Sequence, residues 1–185
     1  MKKVYLIHGW GGNSEGGWFD WLKDELKKRK IEVHAFDMPD TDNPKIETWV
    51  KYLEEKIPFE DIDEKTYFIG HSIGCQTIMR FLEKLPKPKK IGGCIFVAGW
   101  FSLINLEQEE MKIARPWVNT KIDFERITRH TNNFLCVFSD DDPYVPLSNE
   151  DIFKEKLGAK IMRKKKIGHF DNVDKVQEVL DFIVK

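Results

Sequence analysis

Short, continuous apolar runs alternate with amphipathic stretches along the whole chain. That alternation restricts the available folds more than any other feature. Val4–Ile7 is apolar without a break, the pattern of a strand buried on both faces. Ile31–Phe36, Thr66–Ile69, Ile91–Ala98, Phe134–Phe138 and Ala159–Lys164 are expected to form further strands. Between them, Trp18–Lys30, Lys45–Ile57, Ile73–Leu85 and Ser148–Leu157 read as helices, and Asp171–Val184 as a closing helix. Trp18, Trp21, Leu22 and Leu26 fall on one face of the first. In the less regular stretch 99–132, helices are expected over Glu107–Ala114 and Asp123–His130, with Pro116 between them. Strands alternating with helices imply an α/β class: a three-layer α/β/α sandwich with a mostly parallel six-stranded sheet. The lysines of the last run place it at the sheet edge. No internal repeat interrupts the 185 residues, which suit a single domain over 1–185.

Composition narrows the function classes. Hydrophobic residues make up 41% and charged residues 33%, an ordinary globular balance. A net charge of -1 supplies no field toward nucleic acid or anionic lipid. Arg163–Lys166 is basic but lacks the further cations and stacking aromatics of a nucleic-acid surface, so no nucleic-acid partner is expected. Cys75, Cys94 and Cys136 are odd in number and lie in apolar runs, which suits buried thiols and a cytoplasmic location. No stretch has the length of a membrane span, and no membrane insertion is expected. The opening MKKVYLIHGW mimics a signal peptide, but its apolar part runs straight into a glycine-rich turn and reads as the first strand. Zinc-like Cys/His spacing and a full dinucleotide fingerprint are both missing, so neither a metal nor a cofactor is expected.

Gly70-His71-Ser72-Ile73-Gly74 is a G-x-S-x-G between an expected strand and an expected helix. A hydroxyl gains nothing from a tight bend. Ser72 is therefore either a helix N-cap or the residue that the bend exists to present. The strand–turn–helix setting favours a nucleophile at the carboxyl edge of the sheet, with the two glycines removing Cβ atoms that would clash.

A serine hydroxyl needs a base, and the base needs an orienting carboxylate. Of the five histidines, His8 lies in the first glycine loop, His34 within a strand, His71 beside the serine itself, and His130 at a helix end. His169 follows the last strand and so arrives at the same sheet edge as Ser72. The acid is expected after the fifth strand, in Ser139-Asp140-Asp141-Asp142-Pro143. Asp142 is the first choice, because Pro143 biases it toward an extended backbone; Asp141 is the reserve. The order Ser, Asp, His fits the motif. Donors for a developing oxyanion are expected from the N–H groups of Ile73 and of Trp10 in His8-Gly9-Trp10-Gly11-Gly12. Trp100, Phe101 and Trp117 are candidates to wall an acyl pocket, with core packing as the alternative. Trp18, Trp21 and Trp49 sit on helical faces and read as core.

Together, HGWGG, Trp18-Phe19-Asp20-Trp21-Leu22, Asp37-Met38-Pro39-Asp40, the elbow, Arg115-Pro116-Trp117, Asp141-Asp142-Pro143 and Gly168-His169-Phe170 resemble the α/β-hydrolase superfamily. Within it, they resemble the small serine hydrolases related to retinoblastoma-binding protein 9 and its bacterial relatives of the YdeN type. The resemblance runs nearly end to end. It implies a minimal α/β-hydrolase fold without a large lid domain, and a triad of Ser72, Asp142 and His169. The Leu-x-Cys-x-Glu segment tied to the animal member's pocket-protein contact has no counterpart here: the cysteines occur in GCQT, GCIF and LCVF. The expected activity is cleavage of a small-molecule ester or thioester through an acyl-enzyme. The competing reading is a hydrolase fold serving as a protein-interaction module, with no partner indicated.

Overall fold

The computed structural model describes residues 1–185. The six expected strands form as β1 (Lys3–Ile7), β2 (Glu32–Phe36), β3 (Thr66–His71), β4 (Gly93–Val97), β5 (Phe134–Ser139) and β6 (Lys160–Lys164). They build one sheet in the order β2-β1-β3-β4-β5-β6. Every neighbouring pair is parallel, with Ile7 beside Gly70, His71 beside Val97 and Val97 beside Val137. The sheet is all-parallel because each connection contains at least one helix, which carries the chain back to its starting end. The helices are α1 (Gly17–Lys28), α2 (Ile46–Lys56), α3 (Ile73–Leu82), α4 (Gln108–Asn119), α5 (Phe124–Thr128), α6 (Asn149–Leu157) and α7 (Gln177–Val184). No helix is long and apolar enough to cross a membrane.

Two cores flank the sheet, and the strands feed them alternately. Val4 and Leu6 of β1, Ile95 and Val97 of β4, and Leu135 and Val137 of β5 meet α1 and α7 in a cluster of 17 buried residues. Tyr5 and Ile7, Cys94 and Phe96, and Phe134, Cys136 and Phe138 face the other way, into a cluster of 28 with α2, α3, α5 and α6. Continuous apolar strands are what burial on both faces demands. The three cysteines are free and buried, and their thiols are pushed up by desolvation. At the β6 edge two of the four cations of the basic run are paired: Arg163 with Glu150 at 2.7 Å and Lys164 with Glu178 at 2.5 Å.

Two helices differ from expectation. Pro116 does not separate α4 from α5; it lies inside α4, which runs on to Asn119. The helix starts with the reciprocal Glu107/Glu110 capping box. At its other end the buried Arg80 of α3 donates to the carbonyls of Trp117 (3.0 Å) and Thr120 (2.9 Å), so the last turn closes despite the proline. Residues 171–176 are not the start of the closing helix, which begins at Gln177. Phe170 has φ +64°, Phe170 and Asp171 line a cavity, and helix resumes only at Gln177.

The strand order reverses between β1 and β3, whose carboxyl ends are neighbours. In open parallel sheets such a crevice is where ligands bind.

Candidate active site

Loops from the carboxyl ends of β1, β3, β4, β5 and β6 converge on one cavity of about 470 Å³. They bring His8, Gly9 and Trp10, then Ser72, Trp100, Tyr144 and His169 to its wall.

The bend at Ser72 is enforced by sterics. A Cβ on Gly70 would sit 2.6 Å from the Cys75 nitrogen, and one on Gly74 would sit 2.3 Å from the Ile7 carbonyl oxygen. Only glycine at both places lets β3 pass directly into α3 beside β1. Ser72 takes up the reversal at φ 52°, ψ −120°, a conformation that costs roughly 1–3 kcal/mol. Its hydroxyl does not cap the helix. It accepts a hydrogen bond from the Trp100 indole N–H at 3.3 Å instead.

His169 Nδ1–H donates to Asp142 Oδ2 at 2.8 Å, which leaves Nε2 as the ring's acceptor. The Asp142 side chain is 2% exposed, and its second oxygen accepts the Tyr144 and Val145 amides at 2.9 and 3.0 Å. Asp141, the reserve, does not reach the imidazole. Its Oδ1 takes the Ser139 hydroxyl (2.7 Å) and the Gly168 amide (2.8 Å), and these bonds hold its carboxyl below the usual range. Asp140 accepts the Lys166 amide at 2.8 Å. The three aspartates therefore grip the histidine loop at 166, 168 and 169 in turn. The triplet is a clamp between the β5 and β6 loops.

The other histidines are spoken for. His71 Nε2–H donates to the His169 backbone carbonyl at 2.7 Å, and burial together with the neighbouring His169 pushes its pKa down to about 3. His8 Nδ1–H donates to the Gly9 carbonyl, while its Nε2 accepts the Met38 amide; burial lowers its pKa as well. His34 is half-exposed rather than packed, pairing with Glu32 and stacking on Tyr5. His130 is buried and donates from Nδ1 to the Lys89 carbonyl.

Two amides in the segments around Ser72 have no backbone partner. The Ile73 N–H opens α3 and has no intrahelical partner. The Trp10 N–H, in the loop whose Gly9 lies against Ser72, bonds no backbone acceptor. Of the pocket candidates, Trp100 lines the cavity and Phe101 and Trp117 do not. Phe101 packs on Phe153 and Phe124, and Trp117 is buried against Trp49 with its N–H on the Pro44 carbonyl. Trp18, read as core, is buried but also lines the cavity, edge-on to His71. Sequence reasoning missed His71 as a support, Tyr144 edge-on to His169, and the buried pair Gln76 and Arg80. The last had a readable signal: polar residues four apart on an otherwise apolar helix.

Comparison with known proteins identifies the family. The model of a family described as Serine hydrolase matches residues 4–179. YdeN of Bacillus subtilis (strain 168) is 30% identical over 169 residues, covering 91% of this chain and 86% of that protein. Serine hydrolase RBBP9 of Rattus norvegicus is 27% identical over 177 residues, covering 93% and 89%. The crystal structure of the B. subtilis ydeN gene product superposes with a TM-score of 0.88 at 28% identity, covering all of both chains. An all-parallel sheet with a strained serine at its switch point, matched by this family along nearly its whole length, leaves one assignment: the chain belongs to the serine hydrolase family.

Proposed function

We propose that this hydrolase cleaves small, uncharged carboxylic esters or thioesters through an acyl-enzyme, with Ser72, His169 and Asp142 as its triad and residues 1–185 acting as a single domain. The observation that carries the reading is the 2.8 Å bond from His169 to a nearly inaccessible Asp142, with Ser72 and His169 on one cavity wall. In this mechanism His169 Nε2 takes the Ser72 proton as Oγ attacks the acyl carbon. It then returns that proton to the leaving alcohol or thiol, and Asp142 stabilises the imidazolium between the two transfers. The Trp10 and Ile73 amides receive the oxyanion, each worth about 3 kcal/mol of barrier by the usual cost of losing one such donor.

The cavity supports the substrate class. Its volume suits a small molecule, and aromatic and aliphatic side chains share its wall with Glu15, Glu110 and Asp171. No lysine or arginine lines it, so nothing there offsets a phosphate or carboxylate on the substrate. Neutral acyl esters are therefore favoured over heavily anionic thioesters.

The test is a fluorophosphonate probe on purified protein beside turnover of p-nitrophenyl acetate. Labelling and turnover are expected, with both lost in Ser72→Ala and kcat reduced by as much as about 10⁶. Folded wild-type protein that neither labels nor turns over would sink the enzymatic reading and leave the interaction module in its place.

A further inference from the structure

The indole of Trp100 does something no other tryptophan in the chain does. Trp10, Trp49 and Trp117 give their ring N–H to backbone carbonyls of Asp42, Pro39 and Pro44. Trp100 gives its own to Ser72 Oγ at 3.3 Å. An indole nitrogen can only donate, so Oγ is the acceptor. Both side chains are removed from water, with Trp100 1% and Ser72 7% exposed, so no solvent molecule is needed to explain the contact. No hydrogen bond joins Ser72 Oγ to His169 Nε2 in this structure, and the serine's one side-chain partner is Trp100.

The fold is built to hold that ring in place. The backbone turns at Ala98 through φ +48°, an unfavourable conformation for a residue with a Cβ, two positions before Trp100. The Trp100 carbonyl is then pinned by Gln76 Nε2 at 2.8 Å, and Gln76 Oε1 by Arg80 Nη2 at 3.0 Å, all buried. The backbone that carries the indole is thus fixed by a buried hydrogen bond at Trp100 itself.

We propose that Trp100 is a catalytic residue of the deacylation half-reaction, its N–H stabilising charge on Ser72 Oγ as the acyl-enzyme ester breaks. This rests on Ser72 being the nucleophile. A donor on Oγ acts oppositely in the two halves of the reaction. In acylation, an Oγ lone pair forms the bond to the acyl carbon while the hydroxyl proton passes to His169 Nε2, and a donor holding electron density on Oγ slows that attack. In deacylation, water adds to the acyl carbon and gives a proton to His169 Nε2. The C–Oγ bond then breaks, its electron pair goes to Oγ, and the proton on Nε2 follows. The carboxylic acid leaves and the serine hydroxyl is restored. Oγ gains negative charge in that step, and the N–H 3.3 Å away stabilises it.

The experiment is stopped-flow hydrolysis of p-nitrophenyl acetate by wild type and Trp100→Phe, which keeps an aromatic ring and removes the donor. The burst of p-nitrophenolate reads acylation, and the steady phase reads deacylation. Deacylation is expected to slow by about 10-fold while acylation changes by less than about 3-fold, so the acetyl-enzyme accumulates and is seen by mass spectrometry. Equal loss in both phases, or no change in either, overturns the proposal. If Trp100→Phe does not fold, Trp100→His, which retains a ring N–H, is compared with wild type. The ratio of the two rate constants is then expected to stay within about 3-fold, and a larger shift overturns the proposal. Wild-type protein that fails to label at Ser72 instead counts against the nucleophile, so the two failures are separable.

Discussion

Each aspartate of the Asp140–Asp142 triplet has its own partner, which lets substitution separate them. Asp142 alone meets the imidazole. Asp142→Asn is expected to lower kcat by about 10⁴, because an amide in its place favours the wrong tautomer of His169. Asp141→Ala frees the Gly168 amide and the Ser139 hydroxyl but leaves the Asp142–His169 pair intact. Its effect is expected to be a loss of about 10- to 100-fold through misplacement of the loop. Steady-state kinetics on the two variants side by side decides the assignment; a more damaging Asp141 substitution would reverse it. The sequence exposed the serine, the histidine and the acidic turn, because each follows an expected strand. It did not expose His71 as a support, since its partner, the His169 carbonyl, is 98 positions away and belongs to the backbone. Nor did it distinguish Trp100 from Phe101 and Trp117. All three are aromatic residues in one irregular segment, and only tertiary packing turns one of them toward Ser72.

The central strands were legible as elements because burial on both faces leaves an apolar signature, whereas β2 and β6, at the sheet edges, are only partly buried and carry charged residues. Helix ends were not, because they depend on distant partners. Pro116 would end an isolated helix. Here α4 continues because Arg80, from α3, collects the carbonyls of its last turn and of Lys121 beyond. Arg80 also lies over the Trp117 ring at 5.9 Å. Replacing it with Met keeps bulk but leaves those carbonyls buried without donors. Arg80→Met is expected to cost about 2–4 kcal/mol, read as a lower urea midpoint with an unchanged slope. An unchanged midpoint would mean that α4 closes on its own. The same variant removes the support behind Gln76, so its kinetic phases also bear on how firmly Trp100 is held.

At the scale of the molecule, the buried neutral histidines make stability depend on pH. His71 has a folded pKa of about 3 against an ordinary 6.5, and His8 is lowered in the same direction. The unfolded chain therefore binds more protons below pH 6.5, so stability is complete above that value and is lost as pH falls from 6.5 toward 3. His71 contributes a slope of about 1.4 kcal/mol per pH unit in that window, and His8 adds in the same direction. Asp171 acts in the opposite sense, since burial raises its carboxyl. His71→Gln keeps a donor for the His169 carbonyl but does not titrate. Urea melts between pH 6.5 and 4.5 are expected to show a flatter decline for that variant than for wild type, and parallel declines would place the acid sensitivity elsewhere. The cavity also draws on both ends of the chain. In the proposed site the nucleophile and the two amides lie within residues 10–73, whereas the acid and the base lie at 142 and 169. During synthesis the serine emerges early, already in a position to bend, yet it has no base until the β5 and β6 loops are clamped together. On the proposed mechanism the nascent chain therefore stays inert toward esters until His169 has emerged and its loop is in place, with α7 still to come, and any truncation short of His169 keeps it so.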